Sequence, residues 1–182
     1  MTLRQATLSL VAATLLSLAT SNAPYATALA AMAAPCEEGD TESRADSSVD
    51  EGEIRWTESS KYDSERAHAF TEWNRLRKIR IAPDAVNTVN DLEFRDYSKP
   101  DTIGGYWERR GGIAQTDYIY LNKHNIDGMG PAFRRNVLVH ELGHALGLCH
   151  KSGDYLSVMW NRKSDVDRPT AVDQANYTRL WG

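Results

Sequence analysis

The stretch VLVHELGHALGLCH, residues 137–150, limits this chain more than any other. It has the apolar content of a buried helix, yet it holds three of the chain's five histidines and a glutamate within eleven residues. Polar side chains inside such a run are costly unless something satisfies them. On a helix of 3.6 residues per turn, His140 and His144 lie about 40° apart on one face, so both imidazoles can point at one ion. Glu141 is turned about 100° further round, beside such an ion rather than on it. Gly147 lets the backbone leave the helix through a left-handed conformation, so that His150 can swing back with a third nitrogen. Three protein ligands with one position left to water make the open arrangement of a catalytic zinc site, whereas a structural site is closed by a fourth side chain. A lone histidine here would be better read as a satisfied core residue. The five fixed positions of H-E-x-x-H-x-x-G-x-x-H, however, meet by chance in about one in 10⁵ chains of this length. The pattern therefore predicts zinc on His140, His144 and His150, with Glu141 as general base toward a water.

The ends of the chain bound where this chemistry operates. Residues 1–30 carry Arg4, an apolar run from Leu8 to Leu18 and an Ala-rich tract with Ala28-Leu29-Ala30. That is the order of a secretory signal peptide, with cleavage after Ala30, Ala33 or Ala34. The run falls short of the roughly 20 apolar residues that a bilayer span needs. About 150 residues then remain, the length of one domain. The formal charge of −4 and pI near 5.7 show no basic excess, which argues against nucleic-acid or anionic-membrane partners. The mature chain is expected to be secreted, extracellular and monomeric, with protein or peptide substrates as its partners.

Residues 31–52 are acidic and Ser-rich, and read as a flexible leader or short pro-segment because they have little apolar surface to offset their ordering entropy. The folded domain is then 53–182. EIRWTES alternates as a strand, and SERAHAFTEWNRL follows as a helix with Ser64 as N-cap and Ala67, Phe70, Trp73, Asn74 and Leu76 on its inner face. KIRIAP, DLEFRDY, GGYWER and TDYIYLN read as short strands. Gly130-Pro131 opens the histidine helix, and PTAVDQANYTRLWG reads as a C-terminal helix with Val172, Ala175, Leu180 and Trp181 partly buried. The fold class is α+β. NYT at 176–178 has the glycosylation form but falls inside that helix, and is taken as coincidence.

On these residues the chain resembles the metzincin zinc endopeptidases. Met159 follows His150 by nine residues in SVMW, where that clan carries a methionine turn beneath the zinc; ordinary core packing is compatible with the same role. DQANYTRLWG looks like the closing helix of matrixins, and GGYWERRGGIAQTDYIYLN resembles strands of matrixins and of the small secreted snapalysins. The resemblance implies a twisted, mostly parallel sheet of four to five strands, an active-site helix and a C-terminal helix. It implies a small matrixin-like or snapalysin-like zinc metalloendopeptidase. The departures are His150 where snapalysins use Asp, no matrixin switch-cysteine motif, and no Tyr two residues after Met159 for the ligand of astacins. His68 and His124 stand alone and are read as solvated. Gly147 and Met159 would support the site. Gly105, Tyr106 and Trp107 would border the substrate as an edge strand, with Trp160 beside a side-chain pocket. Asp173 is either a brace behind the site or an exposed helical residue. Calcium is common among matrixins, but no ligand loop stands out.

Cys36 and Cys149 admit three readings: a disulfide tying the leader to the site, a Cys36 thiolate on zinc in a zymogen, or free thiols. Two other functions share the motif: a zinc amide hydrolase acting on cell-wall peptides, and a non-catalytic secreted zinc-binding module.

Overall fold

In the computed structural model, which describes residues 33–111, 115–151, 153 and 156–182, the alternating stretches are strands. The expected signal peptide, residues 1–30, lies outside the described residues. The elements run β1 (Glu53–Ser59), α1 (Asp63–Asn74), β2 (Arg80–Pro83), β3 (Leu92–Tyr97), β4 (Gly105–Glu108), β5 (Asp117–Asn122), α2 (Lys123–Ile126), α3 (Pro131–Ala145) and α4 (Ala171–Trp181). The sheet has five strands in the order β2-β1-β3-β5-β4. All its neighbours are parallel except β4 on β5, where Tyr106 faces Tyr120. This is a mixed α+β fold with a mostly parallel five-stranded sheet.

Period-two alternation fixes which face is covered. Ile54, Leu92, Phe94, Ile119 and Leu121 point inward and join Ala69, Trp73, Leu138, Val139 and Leu142 in one core. The α1 helix packs on α3, and the Trp73 indole donates to the Val139 carbonyl at 2.9 Å. Opposite, the sheet carries rings such as Tyr106 and Tyr120, stacked at 4.9 Å. Among the described residues no helix is long and apolar enough to cross a membrane.

Three details of the first helix differ from the sequence expectation. The helix begins at Asp63 behind Tyr62, not behind Ser64, whose hydroxyl donates to Glu65 instead. Ala67 is exposed, while Glu65 and Arg66 are buried beside Ala69 and Trp73. They are inside because each has a charged partner: Arg66 binds Glu58 at 2.7 Å and Glu65 binds Arg134 at 2.7 Å. His68 is half-buried rather than solvated, with Nε2 2.7 Å from the Asp167 carbonyl, and His124 is exposed.

The larger correction concerns the acidic leader. In its described part, residues 33–52, it is laid along the C-terminal end of α3. Ser48 N–H donates to the Ala145 carbonyl at 2.8 Å, Ser43 N–H to Gly147 at 3.0 Å, and Glu37 N–H to His150 at 2.9 Å. Ser47 and Ser48 are buried. The last carbonyls of a helix have no partner within it, and this segment supplies donors at and just beyond that end. Its ordering is offset by backbone pairing and one covalent bond rather than by apolar burial, which is why composition misread it.

Candidate metal centre

The histidines are positioned by the way α3 ends. Gly147, at φ +82°, closes the helix with two bonds: its own N–H to the His144 carbonyl at 2.8 Å, and Leu148 N–H to the Gly143 carbonyl at 3.0 Å. That pair is the Schellman closure, which needs the left-handed residue glycine supplies. A Cβ on Gly147 would also lie 2.4 Å from the Ser43 carbonyl oxygen of the N-terminal segment. The turn aims the Leu148 carbonyl at His144 Nδ1, 2.9 Å away. His140 Nδ1 lies 2.8 Å from the Val158 carbonyl, and His150 Nδ1 lies 3.1 Å from Asp40 Oδ2. A carbonyl only accepts, so Nδ1 of His140 and of His144 carries the hydrogen and Nε2 presents its lone pair.

Those lone pairs converge. His144 Nε2 stands 3.1 Å from His140 Nε2 and 3.0 Å from His150 Nε2. Facing acceptors repel unless a cation lies among them. Burial disfavours a proton on the two helix rings: it holds His140 down to about 4, and burial with the neighbouring His140 and His150 holds His144 well below the usual range. Three nitrogens each about 2.0–2.1 Å from a tetrahedral ion stand about 3.3 Å apart. Donor type and spacing both fit a divalent metal that favours imidazole, zinc among them. The triad is one of two groups among the described residues that could hold an ion. In the other, Cys36–Glu42–Cys149, the two sulfurs are bonded to one another.

Glu141 is buried in the same cleft, a cavity of about 880 Å³ that reaches from Asp40 and the histidines past Gly105, Phe133 and Val137 to Lys163. Burial pushes its carboxyl up to about 8, against the pull of a hydrogen bond from the Trp107 backbone N–H. A nearby cation acts in the opposite direction and favours the carboxylate. Edge strand β4 comes this close only because residue 105 is glycine. A Cβ there would lie 2.9 Å from the Tyr120 carbonyl oxygen, 3.1 Å from Val137 Cγ1 and 3.3 Å from Glu141 Cγ. Tyr106 is exposed beside the cleft. The Trp107 indole, however, donates to Ser48 Oγ at 2.9 Å. The Trp107 backbone N–H on this edge strand is engaged by Glu141.

With this geometry in view, the chain is similar to an astacin-like metalloendopeptidase of Gallus gallus, 28% identical over 109 residues. The match covers 54% of this chain and 25% of that protein, so the chain spans about a quarter of its relative's length. No family model matches the chain. A chain of a solved structure titled the GM1 bound form of the ECX AB5 holotoxin superposes with a TM-score of 0.45 at 15% identity, covering 71% of each, too distant a likeness to bear on fold or function. The Asn161 side-chain amide, near the same cleft, donates to Glu37.

The support beneath the histidines is packed without slack. Met159 is fully buried, and a Cβ added to Gly143 would fall 2.3 Å from its Sδ. Asp173 is fully buried too, so the exposed alternative does not hold. Its carboxylate accepts from Ser157 Oγ at 2.5 Å, Val158 N–H at 2.9 Å, and Thr170 N–H and Oγ1–H at 2.8 Å each. It holds the N–H side of Val158, the residue whose carbonyl meets His140. Trp160 lies at the cleft.

Of the three cysteine readings, the structure shows the disulfide: Cys36 and Cys149 are joined across 113 residues. That leaves neither a Cys36 thiolate for a metal nor free thiols. Beside the bridge, Lys151 is fully buried and donates to Glu42 Oε1 at 2.6 Å. Sequence reasoning missed Glu42, Lys151 and Asp40. A signal existed: Asp40 is four residues from Cys36 and Cys149 precedes His150, so the disulfide holds Asp40 within about 24 Å of that histidine.

Proposed function

We propose that this chain is a secreted zinc-dependent metalloendopeptidase with His140, His144 and His150 as ligands and Glu141 as general base. One observation carries the reading. Three imidazoles turn their Nε2 atoms on one point, with Nδ1 partners holding each ring, while the carboxyl of the residue after His140 is buried in the same cleft. The similarity to a metalloendopeptidase over about half the chain supports it.

Zinc on these ligands would supply Lewis acidity, acidifying water toward neutral pH and polarising a peptide carbonyl. The chain's own groups do the rest. The Glu141 carboxylate takes a proton from the attacking water and hands it to the leaving amine nitrogen, so one group acts first as base and then as acid. The Trp107 N–H keeps that carboxyl turned toward the site. An extended peptide would lie along β4, where Gly105 removes the Cβ that would narrow the cleft. Working outside the cytoplasm accords with the N-terminal signal pattern and is compatible with the disulfide.

Glu141→Gln tests the assignment. It is expected to keep fold and metal while lowering the rate on casein by about 10²–10⁴-fold, and a chelator should silence the wild type until zinc is returned. Wild-type turnover by Glu141→Gln would overturn the mechanism. Cleavage of cell-wall fragments but not casein would move the substrate class, and zinc binding without either activity would leave a binding module.

A further inference from the structure

The three histidines are not held alike. His140 and His144 stand on a buried helix, and their Nδ1 partners are backbone carbonyls of Val158 and Leu148. His150 lies beyond the helix end with about a third of its side chain exposed. Its Nδ1 faces Asp40, and one oxygen serves two donors there: Asp40 Oδ2 is 3.1 Å from His150 Nδ1 and 3.0 Å from His150 N. A ring gripped through Nδ1 while its backbone is gripped by the same atom has little freedom to turn its Nε2 away.

Asp40 is itself pinned on both sides. Its N–H donates to the Glu37 carbonyl at 3.0 Å, and Glu37 N–H donates to the His150 carbonyl at 2.9 Å. Ser43 N–H is tied to Gly147 at 3.0 Å, and Cys36 is bonded to Cys149, the residue before His150. The segment thus loops around the third histidine and returns to it, with a carboxylate at the contact.

We propose that Asp40 is a positioning residue for His150: the N-terminal segment is a working part of the metal centre, fixing the third ligand's tautomer and ring direction from outside the coordination sphere. This rests on the metal centre proposed above. Partners that orient a ligating histidine typically govern metal affinity by 10–100-fold.

The test has two readouts besides activity. Zinc affinity is measured by competition with a chromophoric chelator, and the tautomer of His150 by nitrogen-15 NMR of the metal-free protein. In the wild type the Nδ1–H form is expected. Asp40→Ala should weaken zinc by about 10–100-fold and let the Nε2–H form appear, with the fold checked by circular dichroism. Asp40→Asn keeps an acceptor oxygen and should recover most of the affinity. Asp46→Asn, on the same segment but paired with Arg109, should change neither readout. Wild-type zinc affinity and an unchanged tautomer in Asp40→Ala overturn the proposal, as does an Nε2–H His150 in the metal-free wild type. If the wild type takes up no stoichiometric zinc, the metal centre itself is wrong; the tautomer measurement still decides whether Asp40 holds the ring.

Discussion

The two flanks of the histidine triad do the same job by different means. On the His140 flank the ring meets the Val158 carbonyl, and Asp173 on α4 braces the same residue through its N–H from a fully buried position. On the His150 flank the ring meets a side-chain carboxylate on a segment with almost no apolar content, held by backbone bonds and a cross-link. The first flank is built from residues 15 and 18 positions apart, the second from residues 110 apart. Packing suffices where the chain is already local. Where it must return from its far end, a covalent bond carries the entropy.

That contrast breaks first at the disulfide. Replacing Cys36 and Cys149 by serine reopens a 113-residue separation, and the chain-entropy estimate for a loop of that size is about 3–5 kcal/mol of stability. Denaturant unfolding of the double variant against the oxidised wild type measures it. A loss under about 1 kcal/mol would mean that backbone pairing alone holds the segment. The other flank breaks at Asp173. In Asp173→Asn an amide N–H₂ must face some of the donors now on the carboxylate, from Ser157, Val158 and Thr170. Buried donors left unmet should cost roughly 2–3 kcal/mol in the same unfolding assay. A neutral result would show that packing around Met159, not this carboxylate, sets the Val158 carbonyl.

The same contrast marks what could be read in the sequence. Strands β1, β3, β4 and β5 announce themselves by alternation, and α3 and α4 by proline, glycine and apolar spacing, because each is specified within a few residues. The three histidines and Glu141 were legible for the same reason, since helical geometry is local. Asp40 was not: nothing near it is apolar, and its partner lies 110 residues away. The burial of Glu65 and Arg66 was not legible because it depends on Arg134 and Glu58, partners that no local pattern names. The four-residue α2, opened by Asn122 accepting from His124 N–H, is too short to show a period.

The smallest expected effect lies where the N-terminal segment meets the sheet. Asp91 borders a shallow cleft with Ser47, Ser48 and Asp50. Burial pushes its carboxyl up to about 6, and the charges of Asp50, Glu53 and Asp84 push the same way, against a hydrogen bond from Arg55 N–H. An ordinary aspartate titrates near 3.9. Between about pH 4 and pH 6 the folded protein therefore keeps a proton that the unfolded chain has released, so this group's contribution to stability falls as pH rises through that window. Above it the loss is complete and flat. Glu53, Glu65 and Asp127 are shifted downward and slope the other way, so the measurement is a difference. Wild type and Asp91→Asn are unfolded in denaturant at steps from pH 4 to pH 7. The variant should gain on the wild type as pH rises and hold a constant margin above about 6. A margin that does not change across the window would mean that water reaches Asp91 freely, and that the segment covers this end of the strands less tightly than it does the region of the disulfide.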